Sequence, residues 1–262
     1  KMIFAKKSLG QNFLIDKNIT KKIINLSKVT NQNIIEIGPG KGALTDEILK
    51  RKPKSLKLIE KDSILANKLK SKYINTRVIK IYNEDILRFN IEKIIKKDTI
   101  IFGNLPYNIS SQILVKFLKF RNWPPKYNNL IFMFQKELVE KIISQYPSKN
   151  YGRISILANF RLKVTKKFLV SPNCFVPKPK ITSMVIRFQP KEKISFIIRK
   201  ISNLENLTNI FFSNKRKMIN KNIKKILNKD KINLLSDLNL NLRPSNISPD
   251  TYYKITELYE KN

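Results

Sequence analysis

Ile34-Ile35-Glu36-Ile37-Gly38-Pro39-Gly40-Lys41-Gly42-Ala43-Leu44-Thr45 decides the fold. Ile34–Ile37 is short, apolar and β-branched, the signature of a buried strand. It stops at glycines in alternate positions, and helix-period apolar residues then run from Gly42 to Arg51. Glycines let the backbone turn sharply and approach a ligand with no Cβ in the way. The spacing is G-x-G-x-G, not the dinucleotide G-x-G-x-x-G, and no Lys-Ser/Thr pair closes it as in a phosphate-binding P-loop. Taken alone, the loop points to a ligand only in part, since a Gly-rich turn can be merely a tight connection.

The same alternation continues along the chain. Leu56–Ile59, Val78–Tyr82, Thr99–Phe102 and Leu130–Phe134 read as further strands, with helical segments at Ser63–Lys72, Ser111–Phe120 and Lys136–Gln145 between and after them. This predicts an α/β, Rossmann-like parallel sheet with helices on both faces. After Gln145 the pattern changes. Ile154–Val164 and Ile181–Phe188 read as two longer strands joined by a Pro-rich connection, an antiparallel pair at the end of the sheet. Beyond Gln189-Pro190-Lys191-Glu192-Lys193 the strand signal ends, and Phe196–Leu207, Phe211–Leu227 and Ser248–Tyr259 read as helices. The expected division is therefore a domain at 1–190 and a small all-α domain at 191–262.

Composition narrows the chemistry. The 262 residues contain no histidine, which excludes Ser-His-Asp triads, Cys-His pairs and His-ligated metals. A single cysteine, Cys174, excludes an internal disulfide and fits a reducing compartment. No apolar run approaches the roughly 20 residues of a membrane span, and no segment reads as a signal peptide. The expectation is a cytoplasmic protein with no membrane partner and no metal. The formal net charge of +34 points to a polyanionic partner. Yet 43 of the 53 basic residues are Lys, as an AT-rich genome would impose on any protein. The charge supports nucleic-acid binding without proving it.

Four strand ends carry the chemistry. Gly38 ends the first and Glu60 closes the second, 22 residues on, where a carboxylate accepts hydrogen bonds from ribose hydroxyls. Asp85 follows the third, where it can accept from an adenine amino group. Asn104-Leu105-Pro106-Tyr107 follows the fourth with a side-chain amide, a carbonyl rigidified by proline and an aromatic face. Each has an ordinary alternative: Glu60 as a solvated carboxylate beside Lys61, Asp85 as a helix N-cap, the tetrapeptide as a turn. Together they lie where open α/β sheets bind ligands, and they describe a nucleoside cofactor beside a nucleobase.

Asn104-Leu105-Pro106-Tyr107, Glu36–Thr45 and Leu9-Gly10-Gln11-Asn12-Phe13-Leu14 resemble the rRNA adenine N6-dimethyltransferases. The resemblance continues through Phe134-Gln135-Lys136-Glu137, Tyr151-Gly152-Arg153-Ile154-Ser155 and Phe175-Val176-Pro177-Lys178-Pro179-Lys180-Ile181-Thr182-Ser183. It is closer to the small-subunit enzymes of the KsgA/RsmA type than to the Erm resistance methylases. It implies S-adenosyl-L-methionine as cofactor, contacted at Asn12, Leu14, Gly38, Gly40, Glu60, Asp85 and Asn104. It implies catalysis at Asn104, Leu105, Pro106 and Tyr107, with Tyr107 stacked on the target adenine and Phe175 on its other face. The implied activity is dimethylation of two adjacent adenosines near the 3′ end of small-subunit rRNA, by a monomer acting on an immature 30S-type subunit. Phe212–Ile219 resembles a basic segment of the family, with Asn214, Lys215 and Met218 as departures, and assigns RNA contacts to Lys215, Arg216 and Lys217. Ser8-Leu9 is a further departure. Residues Ser213–Lys231 hold eight basic residues against Asp230, with apolar residues at helix spacing, so a basic helix facing RNA is expected there. The alternatives are an Erm-like large-subunit rRNA methylase and a non-catalytic assembly or transcription factor on the same fold. A Rossmann dehydrogenase is disfavoured by the glycine spacing.

Overall fold

The computed structural model describes residues 11–261; Ser8, Leu9 and Gly10 of the N-terminal motif lie outside them. Elements in chain order are β1 (Phe13–Leu14), α1 (Lys17–Ile24), β2 (Asn33–Ile37), α2 (Ala43–Lys50), β3 (Ser55–Ile59), α3 (Ser63–Lys72), β4 (Ile79–Tyr82), β5 (Thr99–Asn104), α4 (Ser110–Leu118), β6 (Tyr127–Gln135), α5 (Lys136–Ile142), α6 (Arg153–Arg161), β7 (Leu162–Val170), β8 (Phe175–Val176), β9 (Ser183–Pro190), α7 (Ile201–Phe212), α8 (Asn220–Ile226), α9 (Lys229–Asn233) and α10 (Pro249–Glu260).

The chain divides into two compact units, one of residues 1–116, 122–139 and 163–190, the other of 117–121, 140–162 and 191–262. The expected division after residue 190 falls at one of these edges, while 117–121 and 140–162 cluster with the helical unit.

The first unit holds a seven-stranded sheet in the order β4-β3-β2-β5-β6-β9-β7. Strands β2 to β6 pair in parallel and β9 runs antiparallel to β6. Buried on both faces, the central strands need apolar residues at nearly every position, hence the unbroken burial of Ile34–Ile37 and Thr99–Gly103. The order reverses at β2, whose neighbours β3 and β5 follow it on opposite sides, and this creates a crevice at the strands' carboxyl ends. A separate two-stranded ladder pairs Phe13 with Val176 and Leu14 with Phe175. Helix α1 starts on Asp16, whose carboxylate accepts the N–H groups of Asn18 and Ile19, and α3 starts on Asp62 in the same way.

The second unit packs α7 against α6, α8 and α10. Tyr252 and Tyr253 of α10 anchor it: their rings meet Phe211, Phe212, Phe160 and Phe196, and their hydroxyls donate to the carbonyls of Pro244 and Ile156, both at 2.7 Å.

Three expectations need correction. Residues 154–161, expected as strand, belong to helix α6; Ser155 Oγ accepts the Gly152 N–H at 3.0 Å, and Ser155–Ala158, Phe160 and Arg161 are all buried. With no polar face there is no 3.6-residue pattern to read. Residues 196–200 are not helical, because Glu257 and Glu260 capture the backbone N–H groups of Ile197, Arg199 and Lys200. The basic helix over Ser213–Lys231 is broken: 213–218 is an exposed turn, followed by the short α8 and α9. Asn222 Nδ2 holds the Ile210 carbonyl near the end of α7 at 3.2 Å.

Candidate active site

The backbone beyond the strand ends is tied into a continuous rim. Gly38 N–H donates to the Ile59 carbonyl (2.9 Å), Glu60 N–H to Tyr82 (3.0 Å) and Glu84 N–H to Glu60 (3.1 Å). This rim and the loop after β5 enclose a cleft of about 1120 Å³, open solvent at its mouth included. Its walls contain Asn12, Leu14, Gly38, Gly40, Glu60, Asp85 and all of Asn104-Leu105-Pro106-Tyr107. Residues spread over more than 90 positions of the chain are therefore brought together around one space.

The glycine loop is shaped by its neighbours. Gly40 has φ +58°, and a Cβ there would meet the Phe13 ring at 3.0 and 3.2 Å. Its N–H donates to Glu60 Oε2 at 3.1 Å. Gly42, at φ +87°, leads into α2, and a Cβ there would lie 2.5 Å from the Tyr73 hydroxyl. Both positions need glycine for conformation and for space.

Glu60 is buried. Its second oxygen accepts the Asp62 N–H at 2.8 Å, and burial raises its pKa against those two bonds. Its carboxylate joins the glycine loop to the start of α3. Asp85 caps a turn over residues 86–88, not the helix its ordinary reading expected: Oδ1 accepts the Leu87 N–H at 3.0 Å. Its Oδ2 pairs with Lys61 Nζ at 2.9 Å, and this partner holds its pKa below the usual value. Asn104 donates through Nδ2 to the Asn12 carbonyl at 3.0 Å, which leaves Oδ1 as the end directed elsewhere. Leu105 is buried, Tyr107 half-buried, and the Tyr107 hydroxyl lies 2.5 Å from Ser183 Oγ.

Two groups of expected residues are not among those that line the cleft. Phe175 is only 2% exposed, packs in the core of the first unit and pairs with Leu14, itself a residue of the cleft wall. Lys215, Arg216 and Lys217 are all exposed on the turn after α7. Conversely, Phe13, Lys41 and Lys61 line the cleft without having been singled out, and Lys41 Nζ sits 4.7 Å over the Phe13 ring. Glu36 also lines it, and is fully buried with Thr45 Oγ1 donating to it at 2.6 Å; burial pushes its carboxyl up to about 8. Its place inside the glycine motif was the signal that could have marked it. Among the described residues, no cluster of three or more Cys, Asp or Glu is placed to hold a metal, and no helix is long and apolar enough to cross a membrane.

The cleft fits a nucleoside cofactor: a glycine cradle without side chains, a buried carboxylate over it and an ionised Asp85 further along the rim. Comparison with known proteins agrees. A protein of Pelagibacter ubique (strain HTCC1062) called ribosomal RNA small subunit methyltransferase A is 45% identical over 257 residues, covering 98% of this chain and 97% of that one. The crystal structure of a dimethyladenosine transferase from Plasmodium falciparum superposes with a TM-score of 0.74 at 26% identity, over 93% of this chain and 95% of that one. The 23S rRNA methyltransferase ErmE shares the fold, with a TM-score of 0.66 at 19% identity over 95% of this chain and 100% of that one. The family model described as ribosomal RNA adenine dimethylase matches residues 3–261, nearly the whole sequence. With the cleft, the rim and this match in agreement, the chain belongs to the ribosomal RNA adenine dimethylase family.

Proposed function

We propose that the protein transfers methyl groups from S-adenosyl-L-methionine to N6 of two adjacent adenosines near the 3′ end of small-subunit rRNA, acting as a monomer on an immature 30S-type subunit. The observation that carries the reading is the meeting of Asn104-Leu105-Pro106-Tyr107 with the Gly38–Gly42 loop, Glu60 and Asp85 around one cleft. When bound, the cofactor supplies an electrophilic methyl group on its sulfonium. Gly38, Gly40, Asn12 and Leu14 would form its cradle, Glu60 would accept from ribose hydroxyls and Asp85 from the adenine amino group.

The remaining work is orientation. Adenine N6 is a poor nucleophile because its lone pair is delocalised into the ring. Asn104 Oδ1 and the Leu105 carbonyl are the acceptors for the two amino hydrogens, which turns the lone pair out of the ring plane. Asn12 holds the Asn104 amide in the required sense by taking Nδ2. Pro106 restricts Leu105 to extended backbone and so fixes the direction of its carbonyl. Tyr107 stacks on the base, an interaction worth about 1–3 kcal/mol. The amino proton becomes acidic only after methyl transfer, so no group with a near-neutral pKa is needed to remove it, in keeping with a chain without histidine. Positioning alone can supply a large rate factor. The target must be unstacked to enter.

Small-subunit RNA is the favoured substrate because relatives named for it match nearly the full chain, whereas the likeness to ErmE is one of fold. The exposed Lys215, Arg216 and Lys217 support a role of the helical residues beyond 190 in choosing the RNA site. The test is incubation with radiolabelled S-adenosylmethionine and, separately, unmethylated small and large ribosomal subunits. Label is expected as N6,N6-dimethyladenosine in small-subunit RNA; label only in large-subunit RNA, or in neither, overturns the proposal.

A further inference from the structure

Tyr107 is held at two points. Its backbone carbonyl accepts from Ser110 Oγ at 3.1 Å, and its hydroxyl meets Ser183 Oγ at 2.5 Å. Ser183 is fully buried and opens β9, paired with Gln135 at the end of β6, while the neighbouring Thr182 carbonyl accepts the Lys136 N–H at 3.0 Å. Topology explains the meeting. β9 is antiparallel to β6, so its first residue, not its last, arrives at the sheet edge where the parallel strands end and the cleft opens. A buried serine hydroxyl requires a partner, and here the partner is the far end of a half-buried tyrosine. A tyrosine ring has two torsions; fixing the backbone and the hydroxyl fixes both, and with them the direction of the ring face.

We propose that Ser183 is a positioning residue for the transfer: by holding the Tyr107 hydroxyl it sets the plane on which the target base stacks. Ser183 is not among the residues that wall the cleft. Its effect therefore falls on the methyl-transfer rate and not on cofactor affinity. This also explains why a tyrosine stands where a phenylalanine would suffice for stacking. Burial raises the pKa of the Tyr107 hydroxyl, and the Ser183 hydrogen bond opposes that shift. The inference rests on the methyl-transfer reading above.

The test is a cycle of full-length variants, Ser183→Ala, Tyr107→Phe and the double, in single turnovers with saturating S-adenosylmethionine on unmethylated small subunits. Cofactor affinity is measured alongside by calorimetry. Losing one hydrogen bond of ordinary net strength predicts a three- to tenfold fall in rate, roughly, for each single variant. The double variant should fall no further than the lower single, and Ser183→Thr should recover most of the rate while cofactor Kd stays within twofold, roughly. A double loss equal to the product of the singles overturns the proposal, as does an equal loss in cofactor affinity. Should Ser183→Ala not fold, Tyr107→Phe removes the same bond from its half-buried side, and an undiminished rate for that variant is equally decisive. Wild-type protein that methylates no adenosine would instead refute the parent reading.

Discussion

Replacing Glu36 by Gln should remove a loss of stability that the wild type suffers as pH rises. Glu36 is fully buried, and burial, reinforced by the nearby carboxylates Glu60 and Asp46, moves its carboxyl from 4.5 to about 8; the Thr45 hydrogen bond and Lys72 oppose the change. For an acid whose folded pKa is raised, stability is complete below the unfolded value and falls as pH climbs toward the folded one. At pH 5 the folded carboxyl is neutral, while the unfolded one, titrating near 4.5, is already about three-quarters ionised. At pH 8.5 the unfolded chain has ionised fully, and the folded chain has had to accept a buried charge. At 1.36 kcal/mol per pH unit, the interval costs the wild type about 4 kcal/mol that Gln does not lose. Gln keeps a carbonyl to accept from Thr45, so its packing is nearly isosteric. Urea unfolding of both proteins at pH 5 and pH 8.5 reads the effect as a difference of differences, which cancels the titrating groups not coupled to Glu36. The stability of Glu36→Gln relative to wild type should rise by about 4 kcal/mol between the two pH values. An advantage that stays constant within about 1 kcal/mol would refute the claim that this carboxyl is neutral in the folded protein.

Other perturbations follow from the same geometry. Gly40→Ala forces a β-carbon into a left-handed residue 3.0 Å from the Phe13 ring, so it should lower stability by about 1–2 kcal/mol and also weaken cofactor binding by calorimetry. Lower stability with unchanged affinity would mean that the loop's path does not shape the site. Neutralising Lys215, Arg216 and Lys217 to Gln should flatten the salt dependence of RNA binding by about one in logarithmic slope for each phosphate these cations neutralise. An unchanged slope would assign these lysines and the arginine to solvent.

The parallel core was legible because its central strands, buried on both faces, read as apolar runs rich in β-branched residues, and the residues expected at or just after the strand ends, Gly38, Glu60, Asp85 and Asn104, line one cleft. Legibility failed where local pattern and tertiary environment disagree. Helix α6 carries apolar residues nearly all round, and Ile154, Ile156 and Ala158 then imitate the two-residue period of a strand. The pair β1–β8 has two residues a side, too few for any period, yet it buries the Phe175 ring and brings Phe13 against Gly40. The turn at 213–218 and the non-helical 196–200 are decided by side chains far along the chain, Asn222 in one case and Glu257 and Glu260 in the other. Glu36 and Ser183 lay inside recognised motifs, but burial is what gives each its consequence, and burial is a property of the assembled sheet.

The proposed mechanism depends on Asn104 orienting the target amino group. Asn104→Ala, assayed on unmethylated small subunits with S-adenosylmethionine, tests it when three quantities are read together: N6-methyladenosine formed, subunit binding and cofactor affinity. Methylation is predicted to fall by at least about 100-fold, the scale of removing one transition-state hydrogen bond, while the subunit still binds and cofactor affinity changes far less. Methylation that persists within about tenfold, or a loss matched by an equal loss of subunit binding, would contradict it.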